Sequence, residues 1–236
     1  MNRSKAGKWY CRAVWAGLVV VASIGCNPLN TIAFMFAKDE KVLARYPLVF
    51  AKDGPKKDKD EVVVLLLPHV APGTAPTFFN TERELVAELA RIMPDMAKEN
   101  KNKLKLKILS PALVDKFKTA NPNWRKLNAM EVGQKLSADF VLEIELKGLQ
   151  LYQPNTGQEK IFEGRGEVTV NIYEIDAEGG KFKDSYPISF AHPRDRIVRS
   201  SLSMSESEFK KQYIEGLAQE IAQRHVDHRP SNSFGR

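Results

Sequence analysis

Cysteine is nearly absent: the 236 residues hold two, Cys11 and Cys26, both close to the amino terminus. A chain cut before Cys26 keeps one thiol and forms no internal disulfide. Packing alone must then hold the mature protein together. Histidine is scarce as well, confined to His69, His192, His225 and His228. No G-x-S-x-G, no phosphate-binding glycine loop and no H-E-x-x-H occurs. The nucleophile, nucleotide and zinc chemistries those motifs carry therefore have no foothold here. Glu143 and Glu145 stand two apart on an expected strand and point the same way into solvent, which suits an exposed face better than a tuned acid–base pair. No catalytic residue, metal or cofactor is expected. Long apolar runs are also missing: the longest leading stretch, residues 13–24, has twelve residues. A bilayer-spanning helix needs about 20.

The formal charge of +7 hints at a nucleic-acid partner. Arg3, Lys5, Lys8 and Arg12 carry much of it. Without them Lys+Arg falls from 36 to 32 against 29 acids, leaving +3. The remaining bases are interspersed with acids, so a mixed surface without nucleic-acid binding is expected.

What is present begins with a basic start, MNRSKAGKWYCR, then the apolar run AVWAGLVVVASI, then Gly25 and Cys26. That order is a secretory signal. Ser23-Ile24-Gly25-Cys26 resembles the bacterial lipobox, although leucine is usual where Ser23 stands. The resemblance implies diacylglycerol on the Cys26 thiol, cleavage before it, and a chain tied to the membrane. Asn27, rather than aspartate, after the cysteine leans to the outer membrane. The alternative is an uncleaved anchor from Ala13 to Ala37. It would bury Asn27, Pro28 and Asn30 in mid-membrane, where polar groups are costly.

Residues 1–25 are thus read as a signal peptide and 26–60 as a lipidated tether, charged and turn-rich at Lys52–Asp60. Within the tether, Tyr46–Phe50 could pack on the domain. Residues 61–228 are read as one α+β domain, and 229–236 as a tail. Glu61–Leu67 is a strand buried on both faces, stopped by Pro68. A helix starts with the capping-box spacing Thr81-x-x-Glu84 and carries an apolar stripe on Leu85, Leu89, Ile92 and Met96. Leu104–Leu109 alternates with lysines as a half-exposed strand. Ser110-Pro111 opens a short helix to about Lys118, and another spans Arg125 to about Ser137. Phe140–Lys147, Glu163–Glu174 and Lys181–Ala191 form an antiparallel meander with one wet face. A final helix, Ser205 to Val226, turns Phe209, Tyr213, Leu217 and Ile221 inward. His225 and His228 lie three apart near its end. They are placed there as charges favourable to a helix carboxyl end rather than as metal ligands. The whole predicts a single mixed sheet with a three-strand antiparallel meander and helices mainly on one face.

The run Ala129-Met-Glu-Val-Gly-Gln-Lys-Leu-Ser-Ala-Asp-Phe-Val-Leu142 resembles a helix–Gly-x-x-Leu-x-Ala-Asp–strand step of envelope proteins. These are the curli-channel lipoproteins, the amino-terminal domain of TolB and the lipoprotein activators of penicillin-binding proteins. Gly166–Asp176 and Tyr213–Ala222 resemble their next strand and closing helix. The resemblance implies the fold and an envelope setting. The lipid anchor, the tether and the lack of catalytic motifs predict a non-enzymatic protein-binding or scaffolding module, held to the membrane through Cys26 and facing the periplasm, whose partner is another envelope protein. A self-assembling ring or secretion-pore subunit, a homo-oligomer, is the alternative. An enzyme with an unrecognised site is the second.

Loops on a rigid scaffold commonly carry recognition. The turn Gln153–Gln158, flanked by Tyr152 and Phe162, and the loop His69–Thr77, closed by Phe78 and Phe79, are the candidate partner contacts. Tyr152, Phe162 and His69 are the candidate binding residues. As exposed rings they would be interface anchors; the other reading has the aromatics capping the core.

Overall fold

β1 runs from Glu61 to Val70, three residues past the end expected from sequence, and passes through Pro68. The sheet explains why. In the computed structural model β1 lies between β2 (Lys105–Ile108) and β3 (Phe140–Tyr152), parallel to both. Its even-numbered residues bond towards β2, as in the bond from Leu109 N to Val64 O. β2 is only four residues long and its register ends at the Val64–Ile108 pair. Pro68 therefore faces a side with no described strand beside it, where a missing N–H costs nothing.

The structure describes residues 41–50, 59–71, 80–99, 105–153, 161–176, 178–194, 199–200 and 203–229. All belong to one compact unit, Lys41–Arg236. Cys26, Phe78 and Phe79 lie outside the described residues, as does most of the loop at His69–Thr77 and of the turn at Gln153–Gln158.

β3 continues the sheet antiparallel to β4 (Ile161–Glu174), which pairs with β5 (Lys181–His192) and, at one end, with β6 (Arg199–Ser200). The order is β2-β1-β3-β4-β5, a mixed sheet with the expected antiparallel meander. α1 (Thr81–Glu99) joins β1 to β2; α2 (Pro111–Ala120), a 3-10 turn (Trp124–Lys126) and α3 (Ala129–Lys135) join β2 to β3. The two crossovers move along the sheet in opposite directions. Parallel crossovers are right-handed as a rule, which puts the two on opposite faces, and the two cores confirm it. So α1 and the long closing helix α4 (Glu206–His225) cover one face, and the two short helices cover part of the other.

The sheet separates two cores. Val62, Val64, Leu66, Phe140, Leu142, Ile144, Val170 and Ile172 meet Leu85 and Leu89 of α1 and Phe209, Leu217 and Ile221 of α4. On the reverse face Leu65, Leu67, Val141 and Ile175 meet Val114 of α2 and Val132 of α3. Successive strand residues feed different cores, which is why Glu61–Leu67 reads as continuously apolar.

Helix starts follow capping chemistry. Ser110 accepts from Leu113 N with Pro111 in the first turn, and Ser205 accepts from Glu208 N. The helix expected from Arg125 starts instead at Ala129, because Asn128 and Glu131 form a reciprocal capping box there. α1 begins at Thr81 itself, and the Glu84 carboxylate pairs with Lys210 of α4. Ser137, with φ of 54°, turns the chain out of α3. Asp139 then accepts from Val63 N at 3.0 Å and from Lys59 Nζ at 2.7 Å.

Candidate functional site

The structure brings Tyr152 and Phe162 together and leaves His69 apart from them. Tyr152 and Phe162 are cross-strand neighbours with ring centroids 5.6 Å apart. Phe162 is a core residue, 3% exposed and stacked on Phe209 at 5.0 Å. Its assignment as a partner contact is therefore corrected: α4 packs over that end of the β3–β4 hairpin and takes the ring as its own. Tyr152 is half-buried against the same core. Burial, then a hydrogen bond with Glu206, pushes its hydroxyl up to about 12. His69 sits half-buried at the carboxyl end of β1, paired in register with Glu145.

His69 and Glu145 belong to the sheet face that, beyond Leu67 and Val141, no described helix covers. A polar ladder crosses its strands. Glu143 accepts from Asn171 Nδ2 at 3.0 Å and from the Tyr173 hydroxyl at 2.9 Å. Ser185 donates to Asn171 Oδ1 at 2.7 Å. Lys147 pairs with Glu145 at 2.8 Å and donates to Thr169 at 3.1 Å. Burial and the bond to Glu143 push the Tyr173 hydroxyl up to about 12. Side chains held this way form a rigid polar surface able to present donors and acceptors to another macromolecule.

A cleft of about 130 Å³ opens at the carboxyl ends of β1 and β2. The chain leaves those strands towards opposite faces there, the place where open α/β sheets hold ligands. Leu66, Pro68, Val86 and Val114 form its apolar part, and Glu82, Arg83, Asp115 and Lys118 line it with charges of both signs. Among the described residues no group of three or more potential metal-ligating side chains gathers.

Tyr46–Phe50 packs on the domain, as its apolar string suggested, and does so within a clasp that sequence reasoning missed. Residues 41–50 form an extended strap across the carboxyl end of α4. Val42 and His228 exchange backbone bonds of 2.8 and 3.0 Å, and Tyr46 N donates to Arg224 O. Ala44 N donates to Asp227, which also pairs with Lys41 at 2.8 Å. Tyr46 stacks on Tyr186 with centroids 4.4 Å apart, Leu48 enters the core, and Lys183 Nζ donates to Val49 O. His225, buried beneath, has Nδ1 2.9 Å from Tyr46 O and Nε2 2.6 Å from the Tyr186 hydroxyl. Burial outweighs the Tyr46 bond and lowers its pKa to about 4. The expectation of a charge at the helix end fails for His225, which is neutral and inside. His228 Nδ1 lies 3.3 Å from Val226 O. The apolar string Tyr46–Phe50 was the available signal; its fit to a histidine some 180 positions later is not visible in one sequence.

No protein-family model and no curated protein matches the chain. Solved structures with a distant likeness include a hypothetical protein of Chlamydia trachomatis, at 13% identity, 69% of this chain, 92% of that one and a TM-score of 0.42. A lipoprotein of Neisseria meningitidis is 16% identical over 69% of this chain and 97% of its own, with a TM-score of 0.36. The PelC dodecamer of Paraburkholderia phytofirmans is 12% identical over 77% and 94%, also at 0.36. What those proteins assemble into is a property of theirs.

Proposed function

We propose that the chain is a bacterial envelope lipoprotein, anchored through Cys26, whose domain is a non-enzymatic protein-binding or scaffolding module facing the periplasm. The observation that carries this reading is the strap. The chain arriving from Cys26 is clasped to α4 through Tyr46, Asp227 and His225 before β1 begins. A tether fastened this way delivers the domain to the membrane at one fixed point, which is what a scaffold held near a surface needs. The partner contact is the polar face that no described helix covers, running from His69 and Glu145 across β4 and β5; Tyr152 and Phe162 pack on the other side of the sheet, against α4.

Cross-linking in native cells followed by mass spectrometry tests the reading, with a photoreactive group at Thr169 on the ladder. Capture of one dominant envelope protein supports the scaffold. Cross-links only to further copies of the chain, with a discrete ring seen by light scattering in detergent, replace it with the self-assembling alternative.

A further inference from the structure

The strap alternates. Ala44, Tyr46, Leu48 and Phe50 turn inward. Leu43, Arg45, Pro47 and Val49 are all exposed, Leu43 at 73% and Val49 at 45%. Val42, bridged to His228, is 42% exposed. A strand edge facing only water usually carries polar side chains on that row. This one carries three apolar residues and one cation. Single exposed apolar residues are ordinary on any protein. Yet among the described residues six large hydrophobic side chains are exposed, and three of the six stand on these ten residues.

Charges of both signs stand around the row, with Asp39 and Glu40 next to Lys41 in the sequence. Lys41 opens the strap and Arg229 follows His228 across the bridge from it. The Arg45 guanidinium lies 5.4 Å from the Tyr46 ring centroid. Asp227 is engaged by Lys41 and by the Ala44 N–H. Cations among exposed aliphatic side chains suit a phospholipid surface, where anionic headgroups meet the cations and aliphatic groups enter the boundary below. Fourteen residues separate Cys26 from Lys41, a span of at most about 50 Å when fully extended. For an anchor at Cys26 this row is thus the first part of the described domain along the chain.

We infer that the outward row Leu43–Val49 is a membrane-contact surface that rests on the anionic bilayer carrying the anchor, an inference that depends on the Cys26 reading above. Leu43 and Val49 enter the interface, while Arg45 and Arg229 meet phosphates. Contact there turns the carboxyl end of α4 towards the membrane and makes the strap an orienting foot rather than a passive link.

The test uses the full chain purified from membranes, as Leu43→Cys, Val49→Cys and Leu113→Cys variants. Leu113 is exposed on α2, away from the strap. Each is labelled with a fluorescent maleimide and reconstituted in vesicles of phosphatidylethanolamine and phosphatidylglycerol, with and without nitroxide-bearing acyl chains. The expected result is quenching several-fold stronger at positions 43 and 49 than at 113. Equal quenching at all three, on chains that stay with the vesicles, overturns the membrane contact and leaves the anchor intact. The parent chain is treated in parallel. Maleimide uptake by Cys26 together with failure to float with vesicles shows that the anchor itself is wrong, and the contact falls with it.

Discussion

His225 Nδ1 lies 2.9 Å from the carbonyl oxygen of Tyr46, joining residues 179 positions apart at the two ends of the domain. A carbonyl only accepts, so Nδ1 carries the proton and donates. In the neutral ring Nε2 then accepts from the Tyr186 hydroxyl, whose own ionisation burial pushes far up. One imidazole thereby holds the strap, α4 and β5, and it must be neutral to do so.

A pH dependence follows. His225 stays neutral in the folded chain down to about 4, whereas an unfolded histidine protonates near 6.5. Between these values the unfolded state binds the extra proton, so stability is full above about pH 6.5 and falls as pH drops towards 4. The loss reaches about 3 kcal/mol at most. Glu220, which Arg194 and Arg224 hold below the usual range against the opposing effect of burial, loses its contribution only at lower pH. Denaturant midpoints between pH 7 and 4 check this: His225→Gln should flatten the upper part of the decline.

The strap divides by face. Leu48, 5% exposed, is expected to cost about 2–5 kcal/mol as Leu48→Ala, whereas Leu43→Ser should change stability by less than about 0.5 kcal/mol. Urea unfolding of the two variants measures both. Similar losses would contradict the division.

Tyr213 is seated by two glycines. A Cβ at Gly164 or Gly166 would collide with its ring or hydroxyl. Gly164→Ala should therefore cost about 1–3 kcal/mol by overpacking. The Tyr213 hydroxyl is buried with no hydrogen-bond partner, so Tyr213→Phe should be neutral or stabilising. Thermal midpoints of the two variants should move in opposite directions, or the second not at all.

Asp139 ties the start of β3 to β1. Asp139→Ala leaves Val63 N–H without its acceptor and should cost about 1–3 kcal/mol. Lys59→Ala should cost less, because the Lys59 side chain is 45% exposed and its charge is screened by solvent. Denaturant midpoints give the order.

Much of this fold was legible because period and capping are local. Leu85 and Leu89 announce α1, Phe209 and Leu217 announce α4, and Ser110-Pro111 and Ser205 mark helix starts where they occur. Gly133 and Asp139 stood out as a motif, and their reasons are physical. A Cβ on Gly133 would come within 2.5 Å of Val141, and Asp139 caps a strand junction. What stayed hidden depends on partners distant in sequence. Pro68 reads as a stop until the short β2 is seen to leave that side of β1 open. Phe162 reads as a loop aromatic until Phe209 is found stacked on it. His225 reads as a helix-end charge until Tyr46 and Tyr186 close around it. The edges follow the same logic. Pro187 is paired with Thr169 and has no N–H to share, so its nitrogen faces the free side of β5. Lys105 and Lys107 guard β2.

Metabolic labelling with an alkyne fatty acid in the native host tests the central claim most directly, comparing the natural chain with Cys26→Ala. The account predicts that the natural chain takes the label and runs at its cleaved size, while Cys26→Ala takes none and accumulates as the uncleaved precursor. A Cys26→Ala chain labelled and cleaved like the natural one would contradict it.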